Sequence, residues 1–195
     1  MEIVREPYGI AYKETSAFKD VYGGSTGHVF VECMRIAPKD SKSHRVIVFS
    51  HPIGGGSFLP LVTALARGGQ HVIYVNPRYR GNDTALIMEK CVADLGAALK
   101  DMKKRFGYEE IILGGWSGGG SLSMYYQDQA ENPTVTHTPA GDEYDLTKLD
   151  LPPAQGIMLL AAHISRAMTL TEWIDPSILD ESKPFERDPS LNIYD

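Results

Sequence analysis

Short apolar runs alternate along this chain with longer stretches in which apolar residues recur every three or four positions. Four runs are almost wholly apolar, namely residues 45–50, 71–75, 110–113 and 157–162. Such runs are typical of parallel strands that are covered on both faces. Residues 28–37 alternate between apolar and polar side chains, which predicts a further, half-buried strand.

Three helices are predicted between these strands. Residues 59–67 form the first, which ends at Gly68-Gly69, and residues 118–131 form the third, which ends at Asn132-Pro133. The second covers residues 85–106, where five apolar side chains share one face: Val92, Leu95, Leu99, Met102 and Phe106. Strands that alternate with helices in this way predict an α/β protein with a doubly wound, mostly parallel sheet.

Two segments interrupt the alternation. Residues 132–156 form a long excursion that carries proline and aspartate, and loops of this length are typically lids or disordered. Residues 164–195 follow the last predicted strand, contain one short helical stretch near 165–174, and are otherwise rich in proline and charge. We therefore expect residues 1–163 to form the core, with the excursion inserted, and residues 164–195 to begin a cap.

The composition argues against some classes of partner. Lysine and arginine number 19 and aspartate and glutamate 25, a net charge of −6 over 195 residues, and no basic patch suits nucleic acid or an anionic membrane. No apolar run approaches the ~18 residues of a membrane span. The N-terminus has no apolar signal-peptide core. We expect a cytoplasmic protein.

The residues typical of disulfide, metal and cofactor sites are sparse. The two cysteines, Cys33 and Cys91, are too few for a disulfide framework and predict buried free thiols. No spacing of histidine and cysteine indicates a metal site. Because Gly-x-Gly-x-x-Gly is missing and no Lys-Ser/Thr follows a glycine loop, a phosphate-binding loop is not indicated, and no cofactor is expected.

The sequence Gly115-Trp116-Ser117-Gly118-Gly119 lies between an apolar strand and a helix. A serine hydroxyl is a weak nucleophile that must be held exposed beside a base. A sharp strand-to-helix turn does this, and small neighbours are needed because the turn is strained. We predict that Ser117 is a catalytic nucleophile and that the Gly118 N–H faces the substrate oxygen; the alternative is a glycine-rich turn without chemistry.

A second glycine-rich loop, His51-Pro52-Ile53-Gly54-Gly55-Gly56, follows the strand at 45–50. Acyl transfer needs a second N–H donor for the oxyanion, commonly from such a loop. Ile53 or Gly54 is predicted to supply it. His51 is expected to brace the loop and line the substrate pocket rather than act as the base; the alternative is a plain connection.

A third loop, Asn76 to Asp83, follows the strand at 71–75 and so lies where open α/β sheets bind ligands. Its arginines and Asp83 are predicted to hold loops around the site. With this loop, the His51 loop and the Ser117 turn, residues 28–163 resemble the α/β-hydrolase superfamily, specifically its serine esterases and lactonases. The resemblance implies a triad in the order Ser, acid, His, with the last two after strands that follow a cap.

The partners of Ser117 are not evident within the chain. His28, His44 and His71 lie at the opposite end of the sheet and are expected on the surface, and His137 lies in the excursion. His163 follows a strand at the ligand-binding end but comes too early for the base, so we expect it, with Trp116, in the substrate pocket. The four acids weighed for the triad are no better placed: Asp142, Asp145, Asp150 and Asp175.

These observations predict an α/β-hydrolase fold that is incomplete at its C-terminus. The expected function is hydrolysis of a carboxylic ester or lactone through an acyl-enzyme on Ser117, with the acid and histidine supplied by a separate C-terminal polypeptide. An apolar substrate is suggested by apolar side chains near the site and in the cap: Phe58, Trp116, Met168, Leu170 and Trp173. The alternative is a non-catalytic remnant or binding protein.

Overall fold

A six-stranded sheet forms the centre of the computed structural model, which describes residues 1–14, 27–81, 86–165, 168–169 and 175–192. The strands lie in the order β1-β2-β4-β3-β5-β6. The β1–β2 and β2–β4 pairs are antiparallel, and the β4–β3, β3–β5 and β5–β6 pairs are parallel. Their bounds are β1 Ile3–Lys13, β2 His28–Pro38, β3 Arg45–Ser50, β4 Val72–Asn76, β5 Glu110–Trp116 and β6 Gly156–Leu160.

Three helices cover both faces of this sheet, which confirms the doubly wound α/β prediction. Helix α1 (Pro60–Arg67) packs on one face, and helices α2 (Met88–Phe106) and α3 (Gly118–Glu131) pack on the other. The alternation of the strands explains this division. In β3, Val46 and Val48 face α2 and α3, whereas Ile47 and Phe49 face α1.

Strand β1 is absent from the sequence prediction. Pro7 and Gly9 interrupt its alternation, yet Pro7 fits because β1 pairs with β2 alone among the described strands and so lies at an edge. A Cβ atom at Gly9 would lie 2.3 Å from the Phe30 ring, so the glycine lets this ring cross over β1. The other strands and the helices match their predicted positions within a few residues.

The excursion at 132–156 packs against the core on the side of α2. Its buried apolar residues are Tyr144, Leu146, Leu151 and Ala154, and a 3-10 turn spans Leu146–Lys148. Residues 175–192 form turns and are mostly exposed. The helix predicted near 165–174 lies largely outside the described residues, as do Leu170 and Trp173.

His71 is 3% exposed, so the prediction that it lies on the surface is wrong. The Tyr108 hydroxyl is 2.7 Å from Nδ1 and accepts from Arg35 Nε, so the tyrosine donates to the imidazole. The imidazole Nε2 then donates to Ser41 Oγ at 2.8 Å, and Ser41 donates to Pro38 O. Burial lowers the pKa of His71. Hydrogen bonds to residues distant in sequence thus satisfy both ring nitrogens of a buried, neutral imidazole.

Other predictions about single residues are confirmed. His28 and His44 are exposed. Cys33 and Cys91 are buried free thiols, and burial raises the pKa of Cys33 to about 12. Within the described ranges, no helix combines the length and apolar character required to cross a membrane.

Candidate active site

Ser117 occupies a sharp turn between β5 and α3, the context that the motif predicts. Its backbone angles are φ 54° and ψ −129°, a conformation that residues other than glycine rarely adopt. Such strain persists only where the surrounding structure fixes it, and it concentrates at functional sites. The Gly118 N–H, in the first turn of α3, has no carbonyl of its own helix to donate to. The helix dipole favours negative charge at this end.

Three glycines around Ser117 permit the backbone of the turn to pass close to neighbouring segments of the same chain. A Cβ atom at Gly119 would lie 2.2 Å from the Ser50 carbonyl oxygen, and one at Gly115 would lie 2.6 Å from the Gly120 Cα. A Cβ atom at Gly120 would lie 2.3 Å from the Ala162 Cβ. All three distances are far below contact distance, so each position requires glycine for packing.

The segment after β6 is hydrogen-bonded to the same turn. The Ser117 N–H donates to Leu160 O at 3.3 Å, and the Ser117 carbonyl accepts from the N–H groups of Gly120 and His163, both at 3.0 Å. His163, predicted in the substrate pocket, is therefore held beside Ser117 through its backbone, and its side chain is half-buried. Ala161, which directly follows the last residue of β6, adopts φ 45°, and this turns the chain sharply out of the strand.

The loop after β3 lies against the turn from the other side. The His51 ring is 5.9 Å from the Trp116 ring between centroids, and its Nε2 atom is 3.1 Å from where a Cβ atom of Gly118 would lie. The structure thus brings three predicted residues, His51, Trp116 and Gly118, together with Ser117. The indole of Trp116 is partly exposed.

The two residues of the His51 loop that are predicted as oxyanion donors, Ile53 and Gly54, differ in their hydrogen bonds. The Gly54 N–H donates to the His51 carbonyl at 2.8 Å, whereas the Ile53 N–H is 3.4 Å from His51 Nδ1, a long contact. His51 thus binds its own loop through its carbonyl, whereas its ring makes only the long contact to Ile53. Gly54 and Gly55 have φ 67° and φ 85°, which explains the glycines at both positions.

The loop that follows β4 is anchored by a buried ion pair. The Arg78 guanidinium contacts Asp94 at 2.8 Å and Glu14 at 2.7 Å, and Asp94 is fully buried. Asp94 also accepts from the Arg78 N–H at 2.9 Å and from Tyr12 at 2.7 Å. Burial alone would lower the pKa of Arg78, but the Asp94 carboxylate outweighs it and raises that pKa. Arg80 pairs with Glu32, and Asp83 lies outside the described residues.

Asn76, the last residue of β4, makes a contact to the His51 loop that the sequence analysis did not predict. Its side-chain Oδ1 accepts a hydrogen bond from the Gly55 N–H at 2.8 Å. The available signal was a polar residue that ends an otherwise apolar strand at the ligand-binding edge. Beneath the same loop, burial raises the pKa of Tyr74 to about 12.

The described residues contain no hydrogen bond from the Ser117 hydroxyl to a histidine or a carboxylate. Asp145 pairs with Lys148, and Asp175 pairs with Arg187. Within the same described part of the chain, no group of three metal-binding side chains is present. A cavity of about 540 Å³ lies elsewhere, between β1, α2 and the excursion, and contains none of the predicted site residues.

No protein-family model matches the sequence, and no curated protein matches it. Solved structures do match the fold. A bacterial heroin esterase superposes with a TM-score of 0.52 at 18% identity, over 82% of this chain and 45% of that one. Brefeldin A esterase, a bacterial homologue of human hormone-sensitive lipase, gives 0.51 at 17% identity, over 89% and 45%. Esterase Est22 gives 0.51 at 18% identity, over 83% and 45%.

At these identities the likeness concerns the fold rather than the activity. The matched part is less than half the length of each of the three esterases. The order of the strands, the turn at Ser117 and these superpositions agree. The chain has the α/β-hydrolase fold and spans about 45% of the length of the esterases that it resembles.

Proposed function

We propose that this protein is the nucleophile-bearing part of a serine hydrolase that cleaves a carboxylic ester or lactone. The observation that carries the proposal is Ser117 at φ 54° in a turn enclosed by glycines. This conformation is costly, and a purely structural turn would be served better by glycine at that position. The esterase names of the three solved structures support the substrate class.

In the proposed reaction, Ser117 Oγ attacks the substrate carbonyl carbon and gives up its proton to a general base. The carbonyl oxygen becomes an oxyanion, which the Gly118 N–H and one N–H of the His51 loop stabilise. Of the two candidates in that loop, Ile53 is favoured over Gly54 because its N–H makes only a long contact within the loop. The alcohol leaves with a proton from the base, and water then hydrolyses the acyl-enzyme.

The general base and its acid are proposed to come from outside these 195 residues, on a separate C-terminal polypeptide. Among the described strands, β6 pairs on one side only, with β5, and Leu159 on it is 51% exposed. An edge strand with exposed apolar side chains readily pairs with another strand. A partner strand parallel to β6 would end near Ser117, since β6 itself runs parallel to β5 and Leu160 pairs with Trp116.

The nucleophile is tested by labelling the native particle with a fluorophosphonate probe and measuring hydrolysis of a p-nitrophenyl ester. Ser117→Ala should abolish labelling and nearly all turnover. Ser121→Ala is the matched control, because Ser121 lies one turn further along α3 and donates to Gly118 O at 3.0 Å. Labelling of Ser121, or normal turnover in Ser117→Ala, would contradict the assignment.

The partner is tested separately by native mass spectrometry of the same material. A particle that contains a second polypeptide, with one of its histidines cross-linkable to the Ser117 turn, supports the proposal. The same histidine on a longer single chain would retain the chemistry and reject the separate partner. An esterase-active monomer of 21.5 kDa would reject both.

A second candidate function is a binding protein without catalysis. The observation that favours it is the lack of a histidine hydrogen-bonded to the Ser117 hydroxyl within the described residues. A stable particle that neither reacts with the fluorophosphonate nor hydrolyses esters would select this alternative.

A further inference from the structure

We propose that Asn76 is a positioning residue whose side-chain carbonyl fixes the geometry of the His51 loop, residues 51–56, here named the oxyanion loop. This inference rests on the proposed function for its catalytic consequence, although the contact itself does not. Asn76 Oδ1 accepts from the Gly55 N–H at 2.8 Å, which joins the end of β4 to the loop that follows β3.

The environment of Asn76 holds its side chain in place. The residue is 5% exposed and is paired with Glu32 in the antiparallel ladder between β2 and β4. A Cβ atom at Gly54 would lie 3.0 Å from Asn76 Oδ1 and 3.1 Å from Arg80 Cβ. Because these side chains lie so close to Gly54, the backbone at Gly54-Gly55 has little freedom to change its conformation.

The strand end that carries Asn76 is itself anchored. The next turn is closed by a hydrogen bond from the Arg80 N–H to Pro77 O at 3.1 Å. Within that turn, the Arg78 N–H and guanidinium both bind the buried Asp94 of α2. The contact to Gly55 therefore links the oxyanion loop to a rigid helix rather than to a freely moving loop.

The hydrogen bonds of the loop then have distinct uses. The Gly54 N–H closes the turn onto the His51 carbonyl, the Gly55 N–H donates to Asn76, and the Ile53 N–H makes only a long contact to His51 Nδ1. Loss of the Asn76 acceptor would free Gly55 and let the Ile53 N–H move relative to Ser117. Oxyanion donors act by being fixed before the reaction, so such movement lowers kcat more than it changes substrate binding.

The test compares Asn76→Leu, which keeps the branched side-chain skeleton but removes the acceptor, with Asn76→Asp, which keeps an oxygen in the same place. In the protein labelled with ¹⁵N-glycine, the Gly55 amide should exchange with solvent about fivefold faster or more in Asn76→Leu, as expected for loss of one hydrogen bond. Asn76→Asp should retain the protection. Asn76→Ala replaces the leucine variant if that variant does not fold.

The second readout is ester hydrolysis by the native particle. Asn76→Leu should lower kcat by about tenfold or more with KM nearly unchanged, and Asn76→Asp should restore it. Unchanged Gly55 exchange in Asn76→Leu, or equal loss of kcat in both variants, would overturn the proposal. If the unmodified protein shows no hydrolysis, the proposed function fails, while Gly55 exchange still decides whether Asn76 fixes the loop.

Discussion

Replacement of Gly119 by alanine adds one methyl group at the tightest point of the Ser117 turn. The new Cβ atom would lie 2.2 Å from Ser50 O, 3.3 Å from Ser50 C and 3.7 Å from His51 Cα. All three are backbone atoms of β3 or of the loop that follows it, so no side-chain rotation can relieve the overlap. Either β3 or the start of α3 must move.

The magnitude follows from two opposing effects. Overpacking of a filled core typically costs about 1–3 kcal/mol, and a backbone neighbour places this site near about 3 kcal/mol. Alanine is favoured over glycine in a helix by at most about 1 kcal/mol, so the net destabilisation is about 2 kcal/mol. For a chain of this size, that corresponds to a fall in Tm of about 4–8 °C.

The assay is thermal unfolding of the native particle followed by circular dichroism, together with the rate of fluorophosphonate labelling. Gly156→Ala is the matched control, because the nearest atom to its Cβ position is Ile112 Cδ1 at 3.3 Å, the mobile end of a side chain. We expect Gly119→Ala to lower both Tm and the labelling rate, and Gly156→Ala to change neither by much. A Gly119→Ala protein with unchanged Tm and normal labelling would refute the packing of the turn described above.

Two further predictions concern buried ionisable groups away from Ser117. Burial lowers the pKa of His71 below its ordinary value of 6.5, so the folded protein favours the neutral imidazole. The free energy of unfolding that this neutral group contributes is complete above that pH and is lost as the pH falls below it. The urea midpoint should therefore drop between about pH 7.5 and about pH 5.5, and His71→Asn should flatten that drop; an equal drop in both proteins would contradict this. Asp94→Ala leaves the Arg78 charge without its main partner and should cost about 3–5 kcal/mol by urea unfolding, against a much smaller effect for the control Asp101→Ala, whose ion pair is exposed. Similar effects for the two variants would show that the Asp94 pair is unimportant.

The sequence identified features that depend on neighbouring residues along the chain. The alternation at 28–37 located β2, four apolar runs located β3 to β6, and the spacing of apolar residues and the helix-ending signals located the three helices, because these are local properties. The strand-turn-helix context of Ser117 was likewise readable, since glycine is required on both sides of such a turn. Strand β1 escaped because Pro7 is tolerated at a sheet edge and Gly9 lies under the Phe30 ring of β2, and no local pattern reveals either.

Only the tertiary structure decided how polar groups are satisfied. The sequence predicts His71 on the surface, whereas in the fold Tyr108 and Ser41, 37 and 30 positions away, bind its ring. Asn76 and Gly55 are 21 positions apart, and nothing in either segment specifies the other. A buried polar group is stable only with a partner of matching geometry, and that partner is fixed by the fold rather than by the local sequence.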